Sequence, residues 1–183
     1  MDAYQPLPDV RIEHPEWSRN ATIYQINTRQ FTPEGTFRAA EDHLPRLKEL
    51  GATILWLMPV QQIGEKNRKG TLGSPYAVKN YYSVEPALGT LEDLRHFVTA
   101  AHDAGMYVIV DWIPNHTAWD SNLVTEHPEW YDREWKGDLR PTRGGIGTTS
   151  STWTTPSPNR AGTWPGPWPT GSARWTWTVT AVT

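Results

Sequence analysis

The sequence predicts an α/β fold in which parallel strands alternate with helices, closed as either a doubly wound sheet or a (β/α)8 barrel. Three observations carry that prediction. Short β-branched, aromatic and apolar runs recur at residues 21–26, 54–58 and 107–112. Helical apolar stripes fill much of the chain between them. The resulting order, β-α-β-α-β with helix crossovers, demands parallel pairing.

The first run, Ala21-Thr22-Ile23-Tyr24-Gln25-Ile26, is β-branched and aromatic, as a strand requires. Thr36 then caps a helix whose inner stripe is Phe37, Ala40, Leu44, Leu47 and Leu50, stopped by Gly51. Pro45 lies inside that stripe and should kink the helix or delay its start. Ile54-Leu55-Trp56-Leu57-Met58 is continuously apolar, the pattern of a strand buried on both faces. A long polar loop follows from Gln61 to about Gly89. Thr90-Leu91-Glu92-Asp93 reads as a capping box. The helix it opens buries Leu91, Leu94, Phe97, Val98 and Ala101 and ends at Gly105. Tyr107-Val108-Ile109-Val110-Asp111-Trp112 is the third strand. No glycine-rich phosphate turn follows the first strand, which weakens the doubly wound solution. The long aromatic-rich insertion after the second strand suits a barrel, whose function lives on its βα loops.

Composition narrows the function classes. The 183 residues include 17 basic and 20 acidic ones, giving a formal charge of −3, which argues against a nucleic-acid partner held through phosphates. The absence of cysteine removes disulfide scaffolds, zinc ribbons and thiol nucleophiles. No apolar run approaches a membrane span, so no membrane partner is expected. The first residues, Met1-Asp2-Ala3-Tyr4-Gln5, show neither a basic nor an apolar leader, and the expected location is cytoplasmic.

Chemistry concentrates where the third strand ends. Asp111-Trp112-Ile113-Pro114-Asn115-His116 sends a carboxylate, a carboxamide and an imidazole off the sheet within six residues. Taken alone, Asp111 as a loop cap and Asn115 and His116 as turn residues is an equal reading. Other candidates carry less. His96 and His102 are six apart and share no helix face, so they read as solvated. His14-Pro15-Glu16-Trp17 recurs as His127-Pro128-Glu129-Trp130, an echo explained by proline and glutamate opening helical turns.

The Asp111–His116 element does not stand alone. Gly73-Ser74-Pro75-Tyr76-Ala77-Val78-Lys79-Asn80-Tyr81-Tyr82-Ser83-Val84 precedes Gly89-Thr90-Leu91-Glu92-Asp93, and Ala104-Gly105-Met106 leads into the third strand. With Tyr24-Gln25-Ile26 and Leu50-Gly51-Ala52, residues 18–142 resemble the α-amylase superfamily, glycoside hydrolase family thirteen. The resemblance implies an incomplete (β/α)8 TIM barrel, its first three strands with their helices, as the N-terminal portion of a catalytic domain over residues 1–142. It implies activity on an α-glucan or maltooligosaccharide, by hydrolysis or transglycosylation with retention. His116 resembles the histidine that hydrogen-bonds the sugar at subsite −1, and Tyr76 the tyrosine that stacks on that sugar. Asp111 resembles the buried aspartate that orients neighbouring catalytic groups. Asn115 resembles the asparagine that gives a carbonyl oxygen to a structural calcium in many members. At Asn80 many relatives have aspartate, so a salt bridge at that position is not implied here.

Composition breaks near Thr142. Residues 143–183 contain no acidic residue and are rich in Thr, Trp, Pro, Gly and Ser, with Trp153, Trp164, Trp168, Trp175 and Trp177 at no regular period. Retaining glycosidases need two carboxylates flanking the scissile bond. The resemblance puts these, with a third, beyond later strands, and no carboxylate follows Asp138. No catalytic residue is therefore expected in this chain. Loss of one base near the Thr142 codon accounts for the tail. Restoring the register permits P-W-W-D-W-D-D-I-I-D-L-D-Y for Arg143 to Thr155. It permits E-V-D-V-D-G-Y-R-C-D for Arg174 to Thr183. On that reading residues 143–183 are an irregular, out-of-frame and disordered tail. The alternatives are a genuine Trp-rich tail of a non-catalytic carbohydrate-binding protein, and a ligand-free interaction protein on a decayed barrel.

Overall fold

The structure is a computed structural model that describes residues 15–113, 116–131, 133–141 and 150–152. Its centre is a parallel sheet of β1 (Ile23–Ile26), β2 (Ile54–Leu57) and β5 (Tyr107–Val110), with β2 in the middle. The strands run in register, Ile23 beside Ile54 beside Tyr107, so equivalent side chains form rows across the sheet. One face is buried: Leu55 and Leu57 of β2 and Val108 of β5 lie under the helices. On the other, Ile54, Trp56 and Ile109 are half-buried. The second strand was expected to be covered on both faces. Among the described residues only one face is, because the helices pack on a single side.

Two short helices replace the single helix expected over residues 36–50. These are α2 (Phe37–Glu41) and α3 (Leu44–Glu49), after α1 (Thr28–Phe31) at the end of β1. Proline explains the break. Pro45 lacks an N–H and is tolerated only in a first turn, so α3 starts beside it. Thr36 caps α2 by accepting from Ala39 N–H at 3.2 Å. Helix α4 (Leu91–Asp103) carries the complete capping box: Thr90 Oγ1 accepts from Asp93 N–H at 3.1 Å, and Asp93 Oδ2 accepts from Thr90 N–H at 2.8 Å. Gly105 takes φ 70° and turns the chain into β5. Phe37, Leu47, Leu55, Leu57 and Phe97 are fully buried where helices meet sheet. Leu91, expected on the inner face of α4, is exposed at its first turn.

The insertion after β2 is not a structureless loop. It folds into an antiparallel hairpin of β3 (Gln61–Ile63) and β4 (Val78–Val84), irregular in register on both sides of Gln62. Beyond β5, β6 (His116–Ala118) pairs antiparallel with β7 (Ser150–Thr152), and α5 (Asn122–Glu126) follows β6. Both His-Pro-Glu-Trp segments enter 3-10 turns, at Glu16–Asn20 and Pro128–Trp130. His96 is not merely solvated. Its Nδ1 lies 2.6 Å from Glu41 Oε2, tying α4 to α2, whereas His102 is exposed. Apart from β7, the tail after Thr142 lies outside the described residues, as does the expectation of its disorder.

Candidate functional site

At the carboxyl end of the parallel sheet, three of the sequence-predicted residues come together. Asp111 is the first residue beyond β5, and its N–H donates to Leu57 O at 2.9 Å, extending the β2–β5 ladder by one step. Tyr76 arrives from the turn before β4 and donates its hydroxyl to Asp111 Oδ2 at 3.0 Å. His116 opens β6 and is hydrogen-bonded through its ring to the Tyr76 main chain. Asn115, the position assigned to calcium, lies outside the described residues. Among the described residues no three His, Cys, Asp or Glu side chains gather as a metal group would.

Electrostatics fit neutral donors around one carboxylate. Burial lowers the His116 imidazole below its ordinary range, and its hydrogen bond to Tyr76 offsets part of that. His116 therefore favours the neutral ring near pH 7. The Tyr76 phenol is pushed up, first by burial and then by the Asp111 carboxylate that its O–H serves. It stays protonated and holds Asp111 in one orientation. An aromatic ring, a fixed carboxylate and a neutral imidazole suit a polyhydroxylated ligand with apolar C–H faces.

Several positions that sequence reasoning left without a role support this arrangement. Tyr81 is 6 % exposed and donates its hydroxyl to Ile113 O at 2.7 Å, with His116 O at 3.2 Å. It thereby ties Ile113 to His116. Its ring packs on Trp112 with centroids 5.1 Å apart. Arg29, next to the end of β1, donates from Nη1 to Gly73 O at 3.0 Å and anchors the turn that carries Tyr76. A small pocket lined by Asn27, Arg29, Met58 and Pro75 lies at the same sheet end, beside Tyr76, Asp111 and His116 and not lined by them. None of these bonds had a sequence signal, because most are received by backbone carbonyls that every residue possesses. Asn80 makes a local bond, its Oδ1 accepting from Tyr82 N–H at 2.9 Å.

Comparison with known proteins agrees with this geometry. A family model described as alpha amylase, catalytic domain, matches residues 16–182. The chain is 34% identical over 148 residues to an alpha-1,4-glucan:maltose-1-phosphate maltosyltransferase of Salinibacter ruber, covering 69% of this chain and 22% of that protein. Among solved structures, an alpha-amylase from Lactobacillus plantarum superposes with a TM-score of 0.71 at 44% identity, over 74% of this chain and 32% of that one. A noncanonic maltogenic alpha-amylase from Thermotoga neapolitana gives 0.69 at 38% identity, over 77% and 33%. The chain thus spans about a fifth of the curated relative and a third of each solved structure. With a family match across most of its length, this chain belongs to the alpha-amylase catalytic-domain family, and its parallel strands and helices are part of that family's (β/α)8 barrel.

Proposed function

We propose that this chain is the N-terminal part of a retaining α-glucan hydrolase or transglycosylase and that, as 183 residues, it is catalytically inactive. The carrying observation is the convergence of Tyr76, Asp111 and His116 at the carboxyl rim of a parallel sheet. In this reading Tyr76 stacks on the sugar and His116 hydrogen-bonds it. Asp111, held by the Tyr76 hydroxyl, orients the groups that act on the glycosidic bond. Those groups are carboxylates, and no acidic residue follows Asp138. Restoring the reading frame after Thr142 supplies the nucleophile at the position of Thr183, and reading on supplies the acid/base.

The genetic code supports that shift where no choice of base is free. Tryptophan has the single codon TGG, so in the restored register its last G leads the following codon. Threonine then contributes A and C. Each Trp-Thr pair, Trp153-Thr154, Trp175-Thr176 and Trp177-Thr178, must therefore restore to GAC, aspartate, at the threonine. Acidic residues return to a segment that has none. The codon overlapping Thr183 restores to the nucleophile that forms the glycosyl-enzyme, if its free leading base is also G.

The test is α-glucan turnover by the 183-residue chain beside a chain with one base restored near the Thr142 codon and read to its natural stop. Turnover should appear only in the latter, with a difference on the order of a millionfold, as for loss of a covalent nucleophile. Equal activity would sink the frame reading and the site assignment together. Maltooligosaccharide binding that survives His116→Ala but vanishes in Trp168→Ala would instead identify a binding protein that uses its aromatic tail. Calcium at Asn115 belongs to the same proposal. Chelation should lower the melting temperature of the frame-restored protein, and Asn115→Ala should remove that sensitivity.

A further inference from the structure

Tyr76 and His116 sit on separate rim segments, and a knot of residues outside the site joins those segments. Gly64, at the end of β3, donates its N–H to Ala77 O at 2.9 Å, one residue after Tyr76. Its other side faces β6. A Cβ at Gly64 would lie 2.2 Å from the Ala118 Cβ and 2.5 Å from Asp120 Oδ1. The Ala118 methyl has no rotamer by which to move away. Any side chain at Gly64 must therefore push β6, and His116 with it, away from the Tyr76 turn. Asp120 fastens the same junction. Its Oδ2 accepts from Glu65 N–H at 2.9 Å and lies 3.7 Å from Lys79 Nζ, which also reaches Glu65 Oε1 at 3.4 Å. Ser121 Oγ donates to Lys79 O at 3.0 Å. Asp120 Oδ1 is buried and has no hydrogen-bond partner among the described residues, a cost that calls for a reason.

We propose that Gly64 and Asp120 are positioning residues that set the spacing between Tyr76 and His116. Gly64 sets the distance of closest approach, and Asp120 prevents the two segments from separating. What this spacing serves, simultaneous engagement of one sugar ring by both side chains, rests on the α-glucan reading above. Misplacement of such groups by about 1 Å costs on the order of a hundredfold in rate, so a spacer without ligand contact is worth fixing.

The experiment uses Gly64→Ala, Asp120→Ala and Asp120→Asn in the frame-restored protein. The first readout is the titration of the Tyr76 hydroxyl, followed by NMR with tyrosine labelled at Cζ and assigned with Tyr76→Phe. In Gly64→Ala and Asp120→Ala, Tyr76 should titrate closer to an ordinary tyrosine, because the gap opened between its turn and β6 admits water to a partly buried phenol. In Asp120→Asn it should stay near the parent, since the amide oxygen still accepts from Glu65 N–H. The second readout is glucan turnover by the frame-restored protein. There kcat should fall about tenfold or more in the first two variants with KM within about twofold, and recover in Asp120→Asn. A parent-like Tyr76 titration in both Gly64→Ala and Asp120→Ala would overturn the proposal. So would loss of folding in Asp120→Ala, which would make the knot a stability device. A parent that turns over no glucan, with Tyr76 still shifting in the variants, would refute the functional reading while supporting the spacing.

Discussion

Tyr81→Phe isolates one hydroxyl. The substitution keeps the ring and its packing on Trp112 and removes only the donor shared by Ile113 O at 2.7 Å and His116 O at 3.2 Å. In a side chain only 6 % exposed, the lost bond leaves a buried carbonyl without that partner. The expected cost is about 1–3 kcal/mol, above the net worth of an average hydrogen bond because desolvation is not refunded. Alkali adds a signature. Burial pushes the Tyr81 phenol well above its ordinary value of about 10, so the folded state holds its proton after the unfolded chain has released it. Stability from this group is complete below about pH 10 and is lost as pH rises beyond it, a slope that Phe should reduce while Tyr76 and Tyr131, also raised by burial, keep the remainder. The assay is urea denaturation of the frame-restored protein at neutral pH and at pH about 10.5, comparing midpoints at constant m. A loss below about 0.5 kcal/mol, with an unchanged alkaline slope, would refute the claim that this hydroxyl ties Ile113 to His116.

Further expectations are equally direct. His116→Gln should flatten the acid limb of the stability profile. Burial lowers the native imidazole pKa, so its contribution is present above about pH 6.5 and lost as pH falls below it, as melts across that range will read. Phe97→Ala, at a fully buried site between α4 and the sheet, should cost about 3–5 kcal/mol in denaturant titration. The 183-residue chain expressed alone should aggregate, because among the described residues β1 and β5 each have one neighbour and Trp56 and Ile109 lie on a half-covered face. A sharp monomeric melt would contradict that.

What the sequence discloses depends on where each signal resides. The parallel strands are legible because β-branched and apolar residues cluster there, and the α4 cap because both its partners lie within four residues. The β3–β4 hairpin is not legible. Gln61-Gln62-Ile63 is too short and polar to alternate, and its register slips at Gln62. The His96–Glu41 pair is invisible for a different reason, since 55 positions separate its members. At the site, Tyr76, Asp111 and His116 could be named from their motifs, whereas Tyr81 and Gly64 act through backbone and through absence of bulk, which no motif encodes.

Asp93 shows how local and distant order can share one group. Its carboxylate closes the first turn of α4 through Thr90, and it also receives Arg38 Nε of α2 at 2.6 Å. Those bonds hold the carboxyl far below the usual carboxylate range, with Thr90 the larger cause and Arg38 the next. The two tasks differ in reach, three residues against 55. A nascent α4 can therefore satisfy the first while α2 is still diffusing, and it then offers Arg38 an acceptor already fixed in direction. Replacing Arg38 should remove only the late docking contact, whereas replacing Asp93 should also delay the helix that docking needs. Folding-rate measurements on Arg38→Ala and Asp93→Ala should separate the two, with slower refolding confined to the second.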